Sequence, residues 1–126
     1  MPFGITLFDS LTKTPIKNGS TLTAIANSTV DMVKELGKSG YYADDLIAQN
    51  IVLVGQKAFL IDIEKDEIKQ NKSWSPRRRQ QNVARMWNDF IYVLQGSLTR
   101  TMTEPYATRV VYIFQECFKL KNTVMV

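Results

Sequence analysis

Hydrophobic residues recur at helical spacing in three stretches of the chain. From Thr21 to Lys38, the residues Leu22, Ile25, Ala26, Val30, Val33 and Leu36 fall on one face, and Gly37 and Gly40 stand where such a helix should end. Ser75-Pro76 pairs an N-capping hydroxyl with a residue whose fixed φ suits a first helical turn. It predicts a helix to about Leu94, with Val83, Trp87, Phe90, Ile91 and Leu94 inward and Gly96 as the stop. A last helix begins near Glu104-Pro105 and carries Tyr106, Val110, Ile113, Phe114, Cys117 and Phe118. Between the first two helices the pattern shortens to two apolar runs, Ile51 to Val54 and Ala58 to Ile63. Gly55-Gln56-Lys57 separates them, which predicts a β-hairpin. Residues 3–11 are apolar and compact, and Thr12 to Ser20 is turn-rich, with Pro15 and Asn18-Gly19. Residues 41–50 read as an ordered loop and 64–73 as a charged one. No repeat or flexible linker divides the chain. The expectation is one α+β domain over residues 1–126, mostly helical, with three main helices and one hairpin rather than a sandwich or a doubly wound sheet.

Composition narrows the chemistry more than the fold. The 126 residues include no His and a single Cys, Cys117. That excludes a Ser-His-Asp triad, a Cys-His dyad, a His-based zinc site and an internal disulfide. Acid–base work falls to carboxylates, Lys or Tyr. Sixteen Lys and Arg against 12 Asp and Glu give a net charge of +4, which permits anionic partners without demanding them. No apolar run approaches the roughly 18 residues that span a bilayer. Met1-Pro2-Phe3-Gly4 has neither the basic nor the apolar region of a signal peptide, so a cytoplasmic location is expected. A secreted protein exported without a classical signal would look the same.

Asp45, Asn50 and Asp62 stand out. The first strand of the expected hairpin begins just after Asn50, and Asp62 sits near the end of the second. A hairpin brings its outer ends together, so Asn50 and Asp62 should be neighbours, with Asp45 at the same edge. Two carboxylates and an amide oxygen make a hard-oxygen site suited to Mg²⁺. Taken singly, each residue is equally at home capping a helix or stabilising a turn. Arg77-Arg78-Arg79 is the densest positive run. It falls in a first helical turn, where the macrodipole disfavours cations, which points either to an anionic substrate or partner or to a solvated face. Trp74, just before that helix, is expected to staple onto it.

Asp45-Leu46-Ile47-Ala48-Gln49-Asn50-Ile51 matches a D-L-x-x-x-N-I pattern, and Leu60-Ile61-Asp62-Ile63-Glu64 resembles a metal-binding L-I-D-F-D/E motif. Val33 to Tyr42 resembles the end of the long helix before a catalytic loop, Met1 to Leu7 a hinge, and Ser75 to Leu94 the helix after a metal loop. In this order and spacing the chain resembles the large lobe of the protein-kinase-like superfamily. Its nearest likeness is to bacterial lipopolysaccharide or sugar kinases and aminoglycoside-type phosphotransferases. The resemblance implies ATP and Mg²⁺ as cofactors. It implies Asp45 as the base that accepts the acceptor hydroxyl's proton, Asn50 and Asp62 as magnesium ligands, and Glu64 as a second carboxylate there. The chain departs from the pattern at Ala43, where a His is usual, at Ile47, where protein kinases often carry Lys, and at Glu64 in place of Gly. The Gly-rich loop and nucleotide-anchoring Lys of a small lobe are not among these residues. The resemblance therefore implies weak nucleotide binding by this chain alone.

Three readings follow. The first is an ATP–Mg-dependent phosphotransferase module whose small lobe comes from another chain. The second is a non-catalytic, kinase-derived interaction module, with a protein partner or a second copy covering residues 1–11 and the hairpin through Phe3, Ile5 and Phe8. The third is a small basic nucleic-acid-binding domain using Arg77, Arg78 and Arg79. It carries least weight, because the aromatics fall on core faces rather than among the basic residues.

Overall fold

The computed structural model of the chain describes residues 4–43, 46–61, 68–70 and 75–123. In chain order it contains strand β1 (Ile5–Thr6), helix α1 (Leu7–Thr12), helix α2 (Gly19–Lys38), strand β2 (Tyr41–Ala43) and a single 3-10 turn (Ala48–Asn50). Strands β3 (Ile51–Val54), β4 (Lys57–Leu60) and β5 (Ile68–Gln70) and helices α3 (Pro76–Thr101) and α4 (Glu104–Thr123) follow. The fold is α+β and mostly helical, with three long helices and one hairpin, as the periodicity predicts.

α2 starts ahead of Thr21 because Asn18 caps it, its side-chain oxygen accepting from the N–H groups of Ser20 and Thr21 at 2.8 and 3.4 Å. It ends where Gly40 takes a φ of 82° and donates its N–H to the Gly37 carbonyl at 2.9 Å. α3 starts on the expected cap, with Ser75 Oγ accepting from Arg78 N–H at 3.2 Å. It does not stop at Gly96 but continues to Thr101. A helix-interior Gly costs about 1 kcal/mol relative to Ala, whereas burying a Leu contributes about 1.5–3 kcal/mol. Leu98, one turn beyond Leu94, is fully buried, so the apolar stripe carries the helix through the glycine.

The three long helices enclose the core. Between α3 and α4 lies an aromatic cluster, with Trp87 stacked on Phe118 at a ring separation of 5.0 Å and close to Phe90 and Phe114. The Trp87 indole N–H donates to Gln115 Oε1 at 3.3 Å. α2 closes the core with Leu22, Ile25, Ala26, Val30 and Val33, and its one buried polar side chain, Thr29, donates to the Ile25 carbonyl at 2.9 Å. The stretch between α1 and α2 is held by α4. Tyr106 Oη donates to the Leu11 carbonyl at 2.7 Å and accepts from Ile16 N–H at 3.2 Å. Arg109 donates to the carbonyls of Ile16 and Lys17.

Two small sheets flank the helices. β1, β3 and β4 form an antiparallel sheet in that order, with Thr6 opposite Val52 and Val52 opposite Phe59. The hairpin turn is tighter than expected. Val54 pairs with Lys57, leaving the two-residue turn Gly55-Gln56, with Gly55 at a φ of 65°, and the second strand ends at Leu60 rather than Ile63. β2 and β5 form the second sheet, with Tyr41 opposite Gln70 and Ala43 opposite Ile68. Residues 41–43 and 68–70, expected as loops, are therefore strands that exist by pairing with each other. Among the described residues no helix is long and apolar enough to cross a membrane.

Candidate functional site

The segment leading into the hairpin is pinned by alternating burial. Leu46 and Ala48 are buried, Ile47 and Asn50 half-buried, and Gln49 exposed. The 3-10 turn closes with Asn50 N–H donating to the Ile47 carbonyl at 2.9 Å. One step beyond the last ladder pair, Ile51 opposite Leu60, the Asn50 carbonyl accepts from Ile61 N–H at 2.8 Å. The described ends of the hairpin thus meet at Asn50 and Ile61, whereas the expected neighbour of Asn50, Asp62, lies outside the described residues.

Asn50 is the one residue of the predicted constellation within the described residues. Asp45, Asp62 and Glu64 lie outside them. The described residues next to these carboxylates lie at two separate sheets. Ile61 immediately precedes Asp62 in the chain, and Ala43 lies two residues before Asp45 and pairs with Ile68 across β2 and β5. The donor set proposed for a metal contains oxygen alone, with no thiol or imidazole, which suits a hard divalent cation. Among the described residues no group of three acidic, His or Cys side chains could hold a metal ion.

The arginine run divides. Arg77 and Arg78 are exposed on the first turn of α3, whereas Arg79 is half-buried and donates from Nη1 to the Lys38 carbonyl at 3.1 Å, at the C-terminal end of α2. Across the same cleft stand Lys34 and Lys38, which the sequence reading did not single out. Their spacing of four residues puts them on one face of α2, a signal present in the sequence. Which helix that face meets depends on tertiary packing. Trp74 lies outside the described residues.

On the β1–β3–β4 sheet, Ile5 and Phe59 are 39% and 43% exposed, on opposite faces. Lys57 Nζ lies 5.4 Å from the centre of the Phe59 ring, a cation–π arrangement. Phe8 is not an exposed apolar residue as expected. It is half-buried and packs against the core beside Leu7 and Leu11, because the short helix α1 turns that side toward the core. Phe3 lies outside the described residues. Cys117 is buried, with Sγ donating to the Thr23 carbonyl at 3.9 Å, and burial pushes its thiol pKa up. It reads as core rather than as a nucleophile. Compared with models of protein families, with curated proteins and with solved structures, the chain matches none.

Proposed function

We propose that this chain is a kinase-like phosphotransferase module that transfers the terminal phosphoryl group of ATP to a hydroxyl, with its small lobe supplied by another chain. The observation that carries the reading is the hydrogen bond from Ile61 N–H to the Asn50 carbonyl. It brings Asn50 beside Ile61, the described residue that precedes Asp62 in the chain. Asn50 and Asp62, with Glu64, would hold Mg²⁺, which when bound neutralises phosphate charge. Asp45 orients the acceptor hydroxyl and takes its proton as that oxygen bonds to phosphorus and the bond to the departing ADP oxygen breaks. Hydroxyl phosphorylation by this route needs neither His nor a reactive thiol, in keeping with the composition.

Calorimetry with ATP and Mg²⁺ tests the reading on the full chain. Weak magnesium-dependent binding is expected. Asp62→Asn should abolish it, while Asp45→Asn should leave it intact and eliminate phosphoryl transfer in the partnered assembly. Magnesium-dependent binding unchanged by both Asp62→Asn and Asn50→Ala would overturn it.

A second reading has its own observation. Ile5 on the edge strand β1 and Phe59 on the other face of the β1–β3–β4 sheet are exposed apolar residues, each of which a protein partner or second copy would cover. If the chain is a non-catalytic module, Asp45→Asn is silent and Ile5→Asp with Phe59→Asp abolishes partner binding.

A further inference from the structure

We propose that the groove between α2 and the outer strand β4 takes an extended basic segment of a partner protein, which adds to the β1–β3–β4 sheet as a further strand. The proposal is independent of both readings above, because a catalytic and a non-catalytic chain present the same edge. Among the described residues β4 pairs on one side only, with β3. The bond from Ile61 N–H to the Asn50 carbonyl fixes which backbone groups that pairing uses. Hydrogen-bonded pairs alternate along an antiparallel ladder, so Phe59 and Lys57 bond to Val52 and Val54 in the same way. Ala58 and Leu60 therefore turn their N–H and C=O groups away from β3, and those groups have no partner among the described residues. Ala58 lines the groove and is only 7% exposed, and a buried backbone group left unpaired is costly. A strand laid along β4 supplies the missing partners.

The groove has a volume of about 730 Å³, and its walls set the sequence of the added strand. Residues opposite each other in a sheet share a face. The incoming residues that bond Ala58 and Leu60 therefore lie on the face that packs toward α2. There α2 presents Asp31 and Glu35, one turn apart. Asp31 pairs with Lys121, whereas Glu35 is exposed and has no ion-pair partner among the described residues. A Lys or Arg at either incoming position lays its stem along Met32 and brings its head group to Glu35. The residue between them shares the outer face with Phe59, which is 43% exposed, and an apolar side chain there covers the ring. Lys57 stands on that outer face, over the Phe59 ring, and so does not oppose the incoming cations. The favoured pattern is basic, apolar, basic. A second copy fits poorly, because its own β4 supplies Ala58 and Leu60 where cations are favoured. It also brings two Asp31–Glu35 pairs toward each other across the two-fold axis.

The test is a titration of the full ¹⁵N-labelled chain with the capped peptide acetyl-Thr-Arg-Val-Arg-Thr-amide, followed by amide hydrogen exchange. Exchange should slow at Ala58 and Leu60 and stay unchanged at Lys57 and Phe59, whose N–H groups already bond to β3. Replacing both arginines of the peptide by glutamate, or methylating their backbone nitrogens, should weaken binding at least tenfold. Glu35→Lys, at an exposed position, should do the same and leave the melting temperature unchanged. Asp31→Asn should weaken binding less. Asp89→Lys makes the same change of charge at an exposed position of α3 outside the groove and should leave affinity unaltered. Unchanged exchange at Ala58 and Leu60, equal binding of the methylated or the glutamate peptide, wild-type affinity in Glu35→Lys, or equal weakening by Asp89→Lys would overturn the proposal. So would dimerisation of the peptide-free chain, seen by sedimentation equilibrium, that protects the same two amides.

Discussion

Replacing Gly37 by Ala sets two opposed effects against each other. In a helix interior Ala is favoured over Gly by about 1 kcal/mol. Gly37 is buried against α3, however, and the added Cβ would overlap Val83 Cγ2 and lie 3.4 Å from Val83 Cβ. Valine in a helix has essentially one χ1 well, so its methyl groups cannot swing aside. The helices must separate, and overpacking of this kind costs about 1–3 kcal/mol. The overlap falls on a β-branched side chain in a helix, so the upper part of that range applies and the net loss is about 1–2 kcal/mol. Val83→Ala removes the obstructing methyl group and costs stability through the lost burial. The double variant should then be more stable than the sum of the singles by about 1 kcal/mol or more. Urea unfolding followed by far-ultraviolet circular dichroism measures all four corners of the cycle. Stabilisation by Gly37→Ala, or additive behaviour with Val83→Ala, would show that the two helices do not meet as described.

Gly96→Ala should have the opposite sign. The neighbourhood holds only the end of Arg100, at 4.0 Å, and α3 is helical there, so a gain of about 0.5–1 kcal/mol is expected in the same unfolding assay. A loss would mean that the helix ends at the glycine after all. Cys117 should react slowly with a disulfide reagent under native conditions and at the free-thiol rate in denaturant. Its pKa is raised in the folded state, so the unfolded chain loses the proton first as pH climbs. The thiol's contribution to stability is complete below the ordinary thiol pKa and is lost as pH rises through the folded value. Cys117→Ala should flatten that alkaline decline, and an unchanged pH profile would refute the assignment.

The long helices were legible because each repeats an apolar stripe over many turns, and Ser75-Pro76 marks a start by local chemistry alone. Gly96 misled because one residue's propensity is weaker than the burial of Leu98 beyond it. β2 and β5 were illegible for a different reason. Each is three residues long, and neither is a strand except beside the other, so no local window contains the signal. At the candidate site, that the ends of the hairpin meet follows from hairpin geometry and could be read in advance. The partner of Arg79 could not, since the approach of α2 to α3 at Gly37 and Val83 decides which carbonyl it reaches.

The grip of α4 on the segment around α1 and α2 bears on how the chain is made. Tyr106 and Arg109 bind backbone atoms 90 to 95 residues earlier, and Lys34 reaches the Lys121 carbonyl across 87. A ribosome delivers residues at about 5–20 per second, so α2 is complete several seconds before α4 emerges. Throughout that interval the apolar stripe of α2 lacks the part of its native cover that α4 supplies. A nascent chain halted ahead of Tyr106 therefore displays this stripe to chaperones and proteases, and release past Phe118 buries it. Stability and survival during synthesis consequently depend on the same late-arriving helix.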